Sequence, residues 1–226
     1  NSVSFANLLE LVAQVDPDLR VRFSTSHPKD LHDEVLFVMQ KYDNVAKHIH
    51  LPAQSGSTRI LEKMNRTYTR EWYEERINRI NELMPECSIS SDIITGFCSE
   101  TEEDHEATLS LMKWAEYEFS YMYFYSERPG TLAARKYEDD VPEEIKRRRL
   151  TEVIEIQHEI AKRKNKAQEG KVHRVLIESK SKKNPDEWMG RNEQNIKVIF
   201  PKENYQKGEY VNVRIDRTTI TSLIGV

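Results

Sequence analysis

His48 and His50 stand two apart in HIHLPAQSGSTR, a stretch that passes from apolar to polar within a few residues. On a strand that spacing puts both imidazoles on one face. With His27 from a neighbouring loop they could ligate a metal, although the spacing fixes no third ligand, or they could hydrogen-bond beside a pocket. Gln54, Ser55 and Ser57 follow in a turn punctuated by Pro52 and Gly56, and they offer hydrogen-bonding groups of little bulk. Such a turn can hold a polar small molecule or simply connect a strand to a helix. Asp92 lies inside the apolar run SISSDIIT, where a lone buried carboxylate is costly, so it either faces a ligand or pairs with an Arg or His. Glu100 to Asp104 reads as a cation site or, more commonly for this pattern, as a negatively charged helix start. No nucleophile with a fixed base and no glycine-rich phosphate loop stands out.

The elements that must position these residues follow from periodicity. Helices are predicted over Phe5 to Val15, Asp30 to Tyr42, from Ser57 or Thr58, from Thr69 to Met84, from the Thr101 capping box to about Tyr117, and from Pro142 to about Gln168. Strands are predicted at Leu19 to Phe23, His48 to Leu51, Ser88 to Thr95 and Phe119 to Tyr125. They recur every 30 to 40 residues or so, the rhythm of βα units with parallel strands. All four strands run into polar loops: Ser24-Thr25-Ser26, Gln54-Ser55, Gly96 to Glu100, and Ser126 to Thr131 with Arg128. In α/β folds ligands gather at these carboxyl ends, so the four loops point to one shared site.

Composition bounds the rest. No apolar run approaches the roughly 20 residues of a membrane span, and no secretory signal pattern opens the chain, which implies a cytoplasmic location. Two cysteines, Cys87 and Cys98, permit one disulfide but supply neither a staple framework nor an iron–sulfur site. The net charge of −4 hides an asymmetry. Residues 170 to 226 carry 11 basic and 7 acidic side chains, +4, which leaves 23 against 31, or −8, for residues 1 to 169. A basic module on an acidic body suits an anionic partner, most simply nucleic acid.

After Gly170 the sequence reads as five short strands, Val172 to Glu178, Met189 to Asn192, Ile196 to Phe200, Tyr210 to Ile215 and Thr219 to Ile224. That pattern suggests a small closed or nearly closed barrel of the OB kind. Its distinctive turn is Gly190-Arg191-Asn192-Glu193-Gln194-Asn195, whose Arg, Asn and Gln suit phosphate and base edges, with Trp188 and Tyr205 available to stack. A plain polar barrel surface is the other reading.

The motifs RFSTSHP, KHIHLPAQSGSTRILEKMNRTYTREWY, DIITGFCSETEEDHEATL, YSERPGTLAA, VPEEIKRRRL and GRNEQN, in this order, closely resemble the radical S-adenosylmethionine methylthiotransferases of the MiaB type. The resemblance covers essentially the whole chain. It implies a partial parallel (β/α) barrel of the radical SAM kind over residues 1–169, followed by an OB-like TRAM barrel over 170–226. It also implies an enzyme that adds a methylthio group to C2 of N6-isopentenyladenosine beside a tRNA anticodon, A37, using S-adenosylmethionine as methyl donor and as source of a 5′-deoxyadenosyl radical. The family's two 4Fe-4S clusters are held by cysteines that have no counterpart here, so the chain looks like a C-terminal half that is inactive alone, with no catalytic or metal residue of its own. Ser24, Ser26, His50, Gln54, Ser55, Asp92 and Gly96 fall where the family holds S-adenosylmethionine, and Cys98 reads as incidental. Arg128, Lys180, Lys182, Trp188, Arg191, Asn195 and Lys197 are the expected contacts to the anticodon stem-loop. The full-length enzyme is expected to be a monomer, and its sulfur donor is not identified by the resemblance. A relative that modifies a ribosomal protein, or a non-catalytic RNA-binding protein, are the competing readings.

Overall fold

A computed structural model describes residues 3–24 and 27–226. Helix α1 (Phe5–Ala13) is capped by Ser4, whose hydroxyl accepts from the Asn7 N–H. A short 3-10 turn (Pro28–Asp30) precedes α2 (Asp33–Lys41), β1 (His48–His50), α3 (Thr58–Lys63) and α4 (Arg70–Leu83). Then come β2 (Ser88–Thr95), α5 (Glu102–Ala115), β3 (Phe119–Phe124), the short α6 (Leu132–Lys136) and the long α7 (Glu143–Lys166).

β1, β2 and β3 form a parallel sheet in that order, with His48 opposite Ser88 and Asp92 opposite Tyr121. Ile49, Leu51, Ile89 and Ile93 point to one face and are buried among residues of the surrounding helices. α7 joins that layer, because Gln157 Oε1 accepts from Ser120 Oγ at 2.8 Å while its amide donates to the Tyr117 carbonyl. The opposite face carries His48, His50, Ser88, Ser90, Asp92, Ile94, Phe119, Tyr121 and Tyr123, and Tyr121 and Tyr123 are 53% and 56% exposed. This polar and aromatic face, open at Tyr121 and Tyr123 and covered at His48, Ser88 and Ser90, is the concave side of a partial barrel.

The strand predicted at Leu19 to Phe23 is reduced to one parallel bridge, Val21 with Val45. Two backbone bonds flank it, Val21 N–H to the Asn44 carbonyl and Ala46 N–H to the Val21 carbonyl. Arg20 and Arg22 instead reach the C-terminal barrel, at the Asn192 carbonyl and the Glu178 carboxylate. Pairing therefore stops after a single residue.

That barrel is closed in the order β4 (Val172–Lys180), β5 (Glu187–Arg191), β6 (Lys197–Pro201), β8 (Leu223–Gly225) and β7 (Tyr210–Thr218). Only the β6–β8 pair is parallel. The last strand is shorter than its sequence pattern suggests, because Thr219 N–H turns back to the Ser222 carbonyl before pairing begins. Alternate residues, Val175, Ile177, Trp188, Val198, Phe200, Val211, Val213 and Ile215, fill the interior. The barrel is docked against the body: Lys47 N–H donates to the Glu193 carbonyl, Ser88 Oγ to that of Gln194, and Asn165 Nδ2 to that of Thr219.

Candidate cofactor face and RNA interface

On the open face the histidines bridge serines of the neighbouring strand in a repeating way. His48 Nδ1 lies 2.7 Å from Ser88 Oγ and its Nε2 lies 3.2 Å from Ser90 Oγ. His50 Nδ1 lies 2.9 Å from Ser90 Oγ and its Nε2 lies 3.4 Å from Asp92 Oδ1. β3 supplies the third side, with Phe119 stacked on His48 at 5.5 Å and Tyr121 edge-on to His50 at 6.0 Å. Burial, reinforced by the positive fields of His50, Arg191 and Arg22, pushes His48 down to about 4 and keeps it neutral. Of the alternatives open for Asp92, pairing with a histidine is therefore the observed one, and both groups remain on the open face. Among the described residues no group of three His, Cys, Asp or Glu side chains could hold a metal.

At the carboxyl ends of these strands lies a cavity of about 550 Å³, within the usual size range of ligand sites. Its lining includes Gln54, Arg66, Ile94, Tyr123, Tyr125 and Arg128. The floor is rigidly set. Tyr73 Oη donates to the Leu51 carbonyl and Tyr68 Oη to that of Pro52, and Gln54, at φ 68°, continues the β1–β2 pairing with N–H to the Asp92 carbonyl. Among the described residues, Arg66 Nε and Tyr125 Oη are buried without a hydrogen-bond partner. An apolar, aromatic lining with unpaired polar atoms fits a ligand that has both a flat ring and charged groups, as S-adenosylmethionine has. The residues present do not fit an iron–sulfur cluster, since Cys87 and Cys98 are free, buried and the only two cysteines.

The candidate cofactor residues divide. His50 and Asp92 share the open face and Gln54 lines the cavity. Ser55 turns the other way: its hydroxyl lies 3.3 Å from Thr108 Oγ1 of α5 and accepts from Ser57 N–H. Gly96, at φ 67°, donates its N–H to Glu100 and packs on the Lys146 side chain, so it shapes the loop and stands outside the lining of the strand-end cavity. Ser24 is exposed beyond the Val21 bridge, and Ser26 lies outside the described residues. Glu100 and Asp104 leave little room for a cation, because Arg149 and Gly96 occupy the first, and Ser57, Arg59 and Thr101 the second. The helix-start reading holds.

Arg191, Asn195 and Lys197 line a second groove of about 490 Å³ between β3, α7 and the barrel, together with Phe119 and Tyr121. Arg191 is partly committed, donating to the Asn195 carbonyl and standing 3.5 Å from Glu178. Lys180 and Lys182 are exposed on the β4–β5 side, and Arg128 is exposed at the mouth of the strand-end cavity. Trp188 corrects its expected role: at 7% exposure the ring belongs to the barrel core, so it is not available to stack on a base. The Asn192–Asn195 turn, expected to meet RNA, uses three of its carbonyls to hold the body. Sequence reasoning missed the serines of β2 and named no individual tyrosine of β3, although one face of the aromatic strand Phe119 to Tyr125 was expected to line a cavity. Their signal was the alternation of Ser88, Ser90 and Asp92, and of Phe119, Tyr121 and Tyr123, which assigns each set to one face.

The sequence matches the Radical SAM superfamily over residues 4–112 and the TRAM domain over 166–226. It is 57% identical over 99% of its length to a tRNA-2-methylthio-N(6)-dimethylallyladenosine synthase from Amoebophilus asiaticus, and 53% identical, again over 99%, to one from Flavobacterium johnsoniae. These alignments cover 46% and 47% of the two relatives, so the chain spans about half their length. The fold is similar to that of coproporphyrinogen III oxidase from Escherichia coli, a radical SAM enzyme, at a TM-score of 0.56 and 15% identity, over 83% of this chain and 50% of that one. On these matches the chain carries a Radical SAM region over residues 4–112 and a TRAM domain over residues 166–226.

Proposed function

We propose that this chain is the cofactor-face and RNA-binding half of a cytoplasmic, monomeric tRNA methylthiotransferase, acting at C2 of N6-isopentenyladenosine in position A37 of the anticodon loop. The body over residues 1–169 holds S-adenosylmethionine and the target adenine, and residues 170–226 hold the anticodon stem-loop. The observation that carries this reading is the 57% identity, over 99% of the chain, to a synthase named for that product.

Gln54, His50 and Asp92 are the proposed polar contacts of the cofactor, with Arg66 and Tyr125 supplying the unpaired cavity atoms. S-adenosylmethionine bound there supplies the methyl group and the radical chemistry. The chain's own part is to orient and to exclude water. Tyr121 and Tyr123 offer exposed ring faces on which an adenine can stack, worth about 1–3 kcal/mol per base. Arg128, Lys180, Lys182, Arg191 and Lys197 provide positive charge for phosphates, with Asn195 beside Arg191 and Lys197.

The test joins this chain to the upstream half of its Amoebophilus relative, reconstitutes the clusters, and assays methylthiolation of an isopentenylated anticodon stem-loop. Modified RNA is the expected result. Product on a ribosomal protein instead, or none with both clusters intact, overturns the proposal. This chain alone is expected to take up almost no iron, measured by colorimetric iron assay after reconstitution.

A further inference from the structure

The strand-end cavity carries more positive charge than its proposed cofactor can use. Its lining includes Lys63, Arg66 and Arg128, and no carboxylate. Among the described residues none of these three side chains forms an ion pair or a hydrogen bond, and Arg66 Nε is buried without a partner. That is unusual in this body, where 23 basic side chains stand against 31 acidic ones and most arginines find a carboxylate, Arg59 at Asp104 and Arg149 at Glu100 among them. Asp139 and Glu127 are the carboxylates whose charge reaches Tyr125 in the lining; the first is taken by Lys146 and the second is exposed to water. Lys63 is nevertheless held in place, its ammonium 4.9 Å from the centre of the Tyr137 ring, which packs edge-on to Phe97 at 6.2 Å. A ring face fixes a cation without cancelling its charge.

S-adenosylmethionine brings a single carboxylate together with an ammonium and a sulfonium, so it is a net cation. Its carboxylate can satisfy one of the three side chains, and Arg66 is the one whose buried Nε lacks a partner. Lys63 and Arg128 are left over. Like charges gathered at a cleft repel one another until an anion joins them, and they focus a positive field at its opening. Lys63 ends α3, which follows β1, and Arg128 lies in the loop after β3, where it is exposed at the mouth. Tyr123 lines the same cavity and is 56% exposed, so a base stacked on its ring brings the sugar–phosphate backbone to that mouth. A nucleotide within a strand has one phosphate on each side. We infer that Lys63 and Arg128 are positioning residues that hold the two phosphodiester groups flanking the nucleotide presented to this cavity. The inference rests on the reading of this chain as an RNA-modifying half, and adds to it Lys63 and the particular phosphates that the mouth takes.

The test is anticodon stem-loop binding by the 226-residue chain, measured by fluorescence anisotropy across a salt series without S-adenosylmethionine. One RNA is unaltered; in a second, uncharged methylphosphonates replace the two phosphates that flank the target nucleotide. On the unaltered RNA, Lys63→Gln and Arg128→Gln are each expected to lower the salt slope by about 0.7, the share of one phosphate on a single strand, and the double variant by about 1.4. Lys63→Arg and Arg128→Lys keep the charge and the slope. On the neutralised RNA the wild type has already lost about 1.4, and neither glutamine variant lowers the slope further. An unchanged slope in either glutamine variant on the unaltered RNA overturns the inference, and so would cations that serve only the cofactor's carboxylate, since no cofactor is present. A loss that persists on the neutralised RNA also overturns it, because the contacts then go to other phosphates. Neither side chain carries a hydrogen bond in the fold, so the variants are expected to keep the wild-type urea midpoint. If the wild-type chain does not bind the stem-loop, the RNA reading itself fails; if it binds and these slopes do not move, this inference fails alone.

Discussion

Asp104 shows how single residues hold the strand-end loops. One carboxylate oxygen accepts from Ser57 Oγ at 2.6 Å and from Arg59 Nε, and the other accepts from Arg59 and from both the N–H and hydroxyl of Thr101. Burial alone would raise its affinity for protons, but Arg59, Ser57 and Thr101 outweigh that and hold the group well below the usual carboxylate range. The folded pKa is thus depressed, so the stabilisation is complete above the ordinary carboxylate pKa and fades as pH falls toward the folded value. Asp104→Asn is expected to cost about 2–3 kcal/mol at neutral pH by urea denaturation, because it strands a guanidinium and a cap. That difference should shrink in acid. A pH-independent difference would mean that charge plays no part.

At the scale of elements, the turn after β1 is seated directly on α5. Gly56 N–H donates to Thr108 Oγ1 at 3.0 Å, and a Cβ added at Gly56 would stand 2.3 Å from the Ala107 carbonyl oxygen. Backbone against backbone cannot give way without moving the loop. Gly56→Ala is therefore expected to destabilise the protein by about 2–3 kcal/mol, seen as a lowered urea midpoint. Because Gln54 lies two residues earlier and is paired to Asp92, the same change should weaken cofactor binding in the full enzyme more than it weakens RNA binding. Thr108→Val keeps the shape and removes the acceptor, at a cost of about 1–2 kcal/mol in the same assay.

For the whole molecule, the barrel and the body make one surface. Arg20, Lys47 and Ser88 each hold a carbonyl of the Asn192–Asn195 turn, and Asn165 near the end of α7 holds the Thr219 carbonyl. The groove between them carries Arg191, Asn195 and Lys197 beside Tyr121. An RNA bound there touches both units at once. Lys197→Ala is expected to weaken binding of an anticodon stem-loop at every sequence and to reduce the salt slope by about one, measured by fluorescence anisotropy across a salt series. Arg191→Ala and Asn195→Ala should also lower affinity, whereas unchanged affinity and slope in both would remove the groove from the RNA path.

The sequence by itself determined the βα rhythm, most helix limits, the small barrel and the polar loops after β1, β2 and β3, because periodicity, caps and turn residues act over a few neighbours. Thr69 and Thr101 cap the helices expected of them, and α7 ends near Gly170, whose φ of 82° suits only glycine well. The motif order also carried the family. Tertiary structure alone decided which polar residues meet. His48 reaches Ser88 and Ser90 only through the β1–β2 register, across 40 and 42 residues of chain. Ser88 reaches Gln194 across 106. Ser55 and Gly96 share loops with candidate ligands yet turn toward α5 and α7, and Trp188 goes inside the barrel rather than onto its surface. A strand's alternation says that two side chains share a face; the packing of distant elements says what covers that face, and hence which residues stay open to a ligand.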